Sequence, residues 1–136
     1  MNKLLVLLLL FILPVIAFSQ TKADYQYVMD KFIKFYNAQQ YDSVYNLFSN
    51  EGKKFITIER NAETLKRFME KYGKVTSYKY LGIDSLDPDV VTVFTTKWSI
   101  AGDKTTSFTL DKENKFMDWR FITSSDGIDK LLKNRK

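Results

Sequence analysis

A chain of 136 residues has room for one hydrophobic core and no more. It contains no histidine and no cysteine, which excludes a Ser-His-Asp triad, a cysteine nucleophile, any disulfide and any zinc site built on thiolate or imidazole. The net charge of +5 comes from 21 Lys and Arg against 16 Asp and Glu, with only four arginines and the lysines spread along the chain; nucleic-acid readers concentrate charge and favour Arg, so a solvated lysine surface and no nucleic-acid partner are expected.

The chain opens with Met1-Asn2-Lys3, continues from Leu4 to Leu13 without a polar residue, and reaches Pro14 and then Ala17-Phe18-Ser19. A basic start, an apolar stretch and small residues at the −3 and −1 positions predict a signal peptide over residues 1–19, cut between Ser19 and Gln20. An uncleaved anchor is the competing reading, but Leu4–Phe18 is shorter than the roughly twenty residues a spanning helix needs. Export to the periplasm or beyond, with no stable membrane insertion after cleavage, is therefore expected. The remaining domain, residues 20–136, must hold together without disulfides, and nearly all of the chain's 11 Phe and 8 Tyr fall within it and supply bulk for its core.

Thr21-Lys22-Ala23-Asp24 reads as a capping box with Asp in place of the usual Glu. Tyr25, Val28, Phe32 and Phe35 or Tyr36 follow at helical spacing, and Asn37–Gln40 interrupts them. A second, shorter helix is expected from an N-cap at Asp42, with Val44, Leu47 and Phe48 inward and its end near Asn50-Glu51-Gly52. Lys53–Ile58 reads as a short strand. A third helix, capped by Asn61, carries the stripe Leu65, Phe68, Met69, Tyr72 and stops at Gly73.

From Lys74 the period changes to two. Val75–Ile83, Val90–Ile100, Thr105–Asp111 and Phe116–Ser124 read as strands. Asp87-Pro88-Asp89, a two-residue turn at Gly102-Asp103, and Lys112-Glu113-Asn114 separate them, so an antiparallel meander is expected. Ser125–Lys136 reads as a last helical turn or two around Ile128, Leu131 and Leu132. The fold class is α+β: N-terminal helices packed on a curved antiparallel sheet of four long strands plus a short one.

Phe35-Tyr36-Asn37, the run Tyr41-Asp42-Ser43-Val44-Tyr45-Asn46-Leu47-Phe48, and Tyr72-Gly73-Lys74-Val75 carry a resemblance. They resemble a bacterial domain of unknown function sometimes found in front of α/β-hydrolase or β-lactamase domains. The element order is similar to the nuclear-transport-factor-two-like cone, and the likeness covers most of residues 25–124. Its motifs are apolar and turn positions, which specify fold far better than activity. The resemblance implies a cone that dimerises through its outer sheet face and, in members that are enzymes, an Asp or Tyr inside the cavity. The catalytic role of the fused domains does not transfer.

Asp118 is the best catalytic candidate. By alternation along the last strand, Phe116, Asp118, Arg120 and Ile122 share one face while Met117, Trp119 and Phe121 share the other. The all-apolar set should face the helices. That leaves Asp118 and Arg120 as a surface ion pair, and puts Phe116 and Ile122 in water, where they would favour a homodimer. Phe94 and Trp98 share a strand face, and Tyr36, Tyr41 and Tyr45 cluster around the first helix end. Two readings stay open: a packed core, or a half-open apolar pocket in which Tyr36, Tyr45, Phe94 and Trp98 bind a small ligand. Asp84–Asp89 lacks the spacing and glycine of an EF-hand, so no metal and no cofactor is expected. The expected function is an exported, non-enzymatic binding or interaction module for a small apolar ligand or a protein partner. The alternatives are a small isomerase- or hydrolase-like enzyme using a pocket Asp or Tyr, and a lysine surface drawn to anionic envelope components.

Overall fold

The structure, a computed structural model, describes residues 20–85 and 89–122. The expected signal peptide, most of the Asp87-Pro88-Asp89 turn and the expected tail helix lie outside the described residues. Helix α1, Lys22–Asn37, starts on the expected capping box: Asp24 Oδ2 accepts from the Thr21 amide at 2.7 Å, and Thr21 Oγ1 accepts from the Asp24 amide at 3.3 Å. Its buried stripe is Tyr25, Val28, Met29, Phe32 and Tyr36. Gln39 then turns the chain in the left-handed region, at φ 57°.

The next helix, α2, is only Tyr41–Tyr45. Asp42 lies inside its first turn and Gln40 takes the cap position without a side-chain bond, which corrects the expected start. The helix also ends earlier than expected, because the sheet edge captures the chain. The Phe116 amide donates to Leu47 O and the Ser49 amide to Phe116 O, both at 2.9 Å, forming a parallel bridge between Phe48 and Phe116. The strand expected over Lys53–Ile58 is absent: Gly52–Lys54 is a 3₁₀ turn, and edge pairing happens at Phe48 instead. Helix α3, Ile58–Tyr72, is capped by Thr57 rather than Asn61. Asn61 is fully buried and donates Nδ2 to Tyr41 O at 3.3 Å, tying α3 to α2. Gly73 ends α3 as expected, at φ 76°.

Strands β1 (Val75–Ser85), β2 (Val90–Trp98), β3 (Gly102–Leu110) and β4 (Phe116–Ile122) form one antiparallel sheet in sequence order, curved and unclosed, with the helices packed against it. The expected α+β class therefore holds. The β2–β3 turn differs from expectation. Trp98 pairs with Gly102, so the turn is Ser99-Ile100-Ala101 followed by a left-handed glycine at φ 68°. The β3–β4 turn lies where expected, with Asp111 Oδ1 accepting from the Glu113 and Lys115 amides at 2.8 and 2.9 Å.

The last strand carries the largest correction. Thr109 pairs with Asp118 but Leu110 pairs with Phe116, so Met117 is an extra residue, a β-bulge. The bulge resets the alternation and puts both Phe116 and Trp119 on the helix side. Phe116, expected in water, is fully buried and stacks on Phe108 at 4.6 Å with its edge toward Phe48 and Phe32. Trp119 meets Phe68 edge-on at 5.3 Å. The homodimer expectation thereby loses Phe116. The outer face of β2 and β3 carries Val91, Val93, Thr95, Lys97, Asp103, Thr105, Ser107 and Thr109, of which Val93, Thr105 and Ser107 are buried.

Asn37 fastens the end of α1 to the start of the sheet. Its Nδ2 donates to Val75 O at 2.8 Å and its Oδ1 accepts from the Val75 amide at 2.9 Å. Asn37→Ala leaves both backbone groups unpaired and is expected to cost about 2–3 kcal/mol in urea unfolding. Asn37→Asp keeps the acceptor and is expected to cost less. Equal stability of all three proteins would show that water replaces the amide without penalty. Among the described residues, no helix is long and apolar enough to cross a membrane.

Candidate functional site

The aromatic candidates from the sequence are largely brought together, but as core. Tyr36, Phe94 and Trp98 are at most 2% exposed. The Tyr36 ring meets Trp98 edge-on at 5.5 Å and stacks on Phe32, and its hydroxyl donates to Gly73 O at 3.0 Å. Trp98 Nε1 donates to Thr96 Oγ1 at 2.9 Å, and that oxygen lies 2.8 Å from Thr106 Oγ1. Phe94 is enclosed by Tyr78, Tyr80 and Phe108. Among the described residues, these rings fill the space between the helices and the sheet at these positions, and the polar atoms named are bonded within the protein. Tyr45 stands apart: half-buried, tilted on Phe48 at 6.1 Å, with Lys53 Nζ 5.2 Å from its ring centre.

Burial pushes the Tyr36 hydroxyl well above the ordinary tyrosine value of 10. Tyr78 is pushed up to about 12, by burial first and then by its 2.8 Å hydrogen bond to Asp30. For a tyrosine whose folded value is raised, the stability it contributes is complete below the unfolded value near pH 10. That stability is lost as pH climbs through the folded value. The protein is expected to hold constant stability from pH 7 to about 9 and to lose it above about pH 10, at about 1.4 kcal/mol per pH unit for each such group. Tyr36→Phe should be less stable at pH 8 yet lose stability less steeply above pH 10, as read from urea midpoints across that range. An unchanged slope would mean Tyr36 ionises freely in the folded protein.

Asp118 lies on the outer side of the bulge, beside Arg120, as the alternation implied. Its Oδ2 accepts from Arg120 Nε at 2.9 Å and its Oδ1 from the Trp119 amide at 2.8 Å. Both side chains are largely in water, at 50% and 76% exposure.

The surface carries clefts that the sequence did not indicate. One of about 380 Å³ lies between α1, Asn46-Leu47 and the β3–β4 turn. Its charged side chains are engaged locally: Asp24 serves the capping box, Lys31 sits 4.3 Å from the Tyr27 ring centre, and Lys115 pairs with Glu113 at 3.0 Å. Asn114 lines it too, and its Oδ1 is buried without a hydrogen-bond partner. A shallow polar cleft lies at Gln39–Ser43 with Ala62 and Lys66.

A third cleft, of about 220 Å³, lies between the 3₁₀ turn, the start of α3 and β4. Phe48, Phe55, Ile56, Met117 and Trp119 wall it, with Arg60 and Asp118 also lining it. Two local features build it. Gly52 lets the turn sit directly on the Phe116 carbonyl, where a Cβ would come within 2.5 Å. The bulge lets three consecutive residues, Met117, Asp118 and Trp119, line one cleft, which regular alternation would forbid. Phe55 is 77% exposed, and the Arg60 side chain makes no hydrogen bond or ion pair among the described residues.

Among the described residues, no group of three or more Asp and Glu converges as a metal site would require. Compared with known proteins, the chain matches no family model and has no significant match among curated proteins.

Proposed function

We propose that this chain is a small exported binding or interaction module, not an enzyme, and that it recognises its ligand at the surface cleft beside the β4 bulge. The observation that supports this reading is the filled interior. Where a cone enzyme would hold its substrate, Tyr36, Phe94 and Trp98 are packed at no more than 2% exposure. The cleft offers recognition groups, the exposed Phe55 ring, the half-buried Trp119 and a guanidinium, rather than a proton-transfer pair. Asp118, the acidic catalytic candidate, has one oxygen on Arg120 and the other on the Trp119 amide.

Screening a library of small fragments against the ¹⁵N-labelled protein tests this. Shifts are expected to cluster at Phe55, Arg60 and Trp119. Saturable shifts centred on Phe94 and Trp98 would reveal an opening interior pocket and overturn the proposal.

A further inference from the structure

Resting on that reading, we propose that the cleft takes a small carboxylic acid with a compact apolar tail. The carboxylate sits on Arg60 and the tail between Phe55, Ile56 and Trp119. Size and charge balance together point to this class. A cavity of about 150 Å³ holds a benzene ring, so about 220 Å³ holds a ring plus a short acidic arm. The walls are aromatic and aliphatic, which suits a tail without polar atoms.

The charges around the cleft leave one cation unmatched. Asp118 is neutralised by Arg120 at 2.9 Å. Lys54 pairs with Glu51 at 2.6 Å, and Lys53 lies over the Tyr45 ring. Arg60 alone lines the apolar cleft without an acidic partner among the described residues. A guanidinium presents paired N–H donors that match a carboxylate, and it forms stronger bonds next to apolar walls than in open water. Arg60 also lies in the first turn of the fifteen-residue helix α3, whose N-terminal dipole adds potential of the same sign. The larger cleft against α1 suits an anion less, since Asp24 and Glu113 line it beside its lysines, Lys115 is paired with Glu113, and Lys31 lies over the Tyr27 ring.

Phenylacetate and its neutral isostere phenylacetamide test the assignment, titrated into wild type, Arg60→Gln and Phe55→Ser. Tryptophan fluorescence and ¹⁵N shifts serve as readouts, Trp119 being the tryptophan in the cleft. Wild type is expected to bind the acid about tenfold more tightly than the amide, with shifts centred on Trp119. Arg60→Gln should bind both alike, at the affinity of the amide. Phe55→Ser should weaken both without changing their ratio. Both replaced side chains are exposed, so each variant should unfold at the wild-type urea concentration. Equal binding of acid and amide at the cleft by wild type would overturn the ligand class while leaving the module intact. Absence of saturable binding by either compound would do the same. Shifts centred on Phe94 and Trp98 would overturn both the ligand class and the surface site.

Discussion

Replacing Phe116 with alanine is expected to cost about 3–5 kcal/mol of folding stability, a large share of the roughly 5–15 kcal/mol available to a small domain. The ring is fully buried, lies 4.6 Å from Phe108 in a near-parallel stack, and presents its edge to Phe48 at 5.6 Å. Its removal opens a cavity at the junction of sheet, α1 and the Phe48 bridge, where neighbouring rings cannot all move inward at once. Urea unfolding followed by circular dichroism measures the loss. Phe55→Ala is the control: with its ring 77% exposed, a change within about 0.5 kcal/mol is expected. If Phe116→Ala proved equally mild, the ring would be in water, as unbroken alternation along β4 implies.

Gly52→Ala is the second large effect. On an ordinary surface position, adding a methyl to glycine stabilises by about 0.4–1 kcal/mol through the unfolded chain. Here the new Cβ would lie 2.5 Å from Phe116 O, 3.1 Å from the Phe48 ring and 3.2 Å from Met117 Cα. Two of these neighbours are backbone, and the first is the carbonyl that accepts from Ser49. Relief therefore requires pulling the 3₁₀ turn off the sheet edge, and a loss of about 2–4 kcal/mol is expected. The measurement is the urea midpoint, with chemical shifts of Ser49 and Trp119 reporting the displaced edge. A stabilised variant would show that the turn does not sit against β4.

The elements read correctly from the sequence are those decided by near neighbours in the chain. The Thr21–Asp24 box, the α1 stripe, the Gly73 stop and the β3–β4 turn all lie within a few residues of their causes. The elements misread are those decided across the fold. Leu47–Ser49 leaves its helix because Phe116, far along the chain, offers an amide and a carbonyl. Asn61 carries a good capping side chain, yet Thr57 also does. The fold chose the earlier start, leaving Asn61 to bridge to Tyr41. The Met117 bulge leaves no trace in the letters, because Phe-Met-Asp-Trp carries bulky apolar residues at both parities and fits either phase.

The same division governs the site. Tyr36, Phe94 and Trp98 were identified as aromatic neighbours, but residue type does not distinguish a packed ring from a pocket wall. The cleft at β4 depends on a bulge and on a glycine contact, so the local pattern places Phe55 and Ile56 in a strand and gives no signal at Arg60. Asp118 belongs to both descriptions, and its ion pair with Arg120 is the one that alternation along the strand implies.

The bridge between Phe48 and Phe116 also sets an order of assembly. The β2–β3 and β3–β4 turns close loops of only a few residues, whereas the bridge closes one of about 70 and carries an extra entropic cost of about 3 kcal/mol over a short turn. The hairpins therefore have a kinetic head start, and the segment around Phe48 docks onto an edge already built. Pulsed hydrogen exchange during refolding should find the Ser49 and Phe116 amides protected after those of β2 and β3.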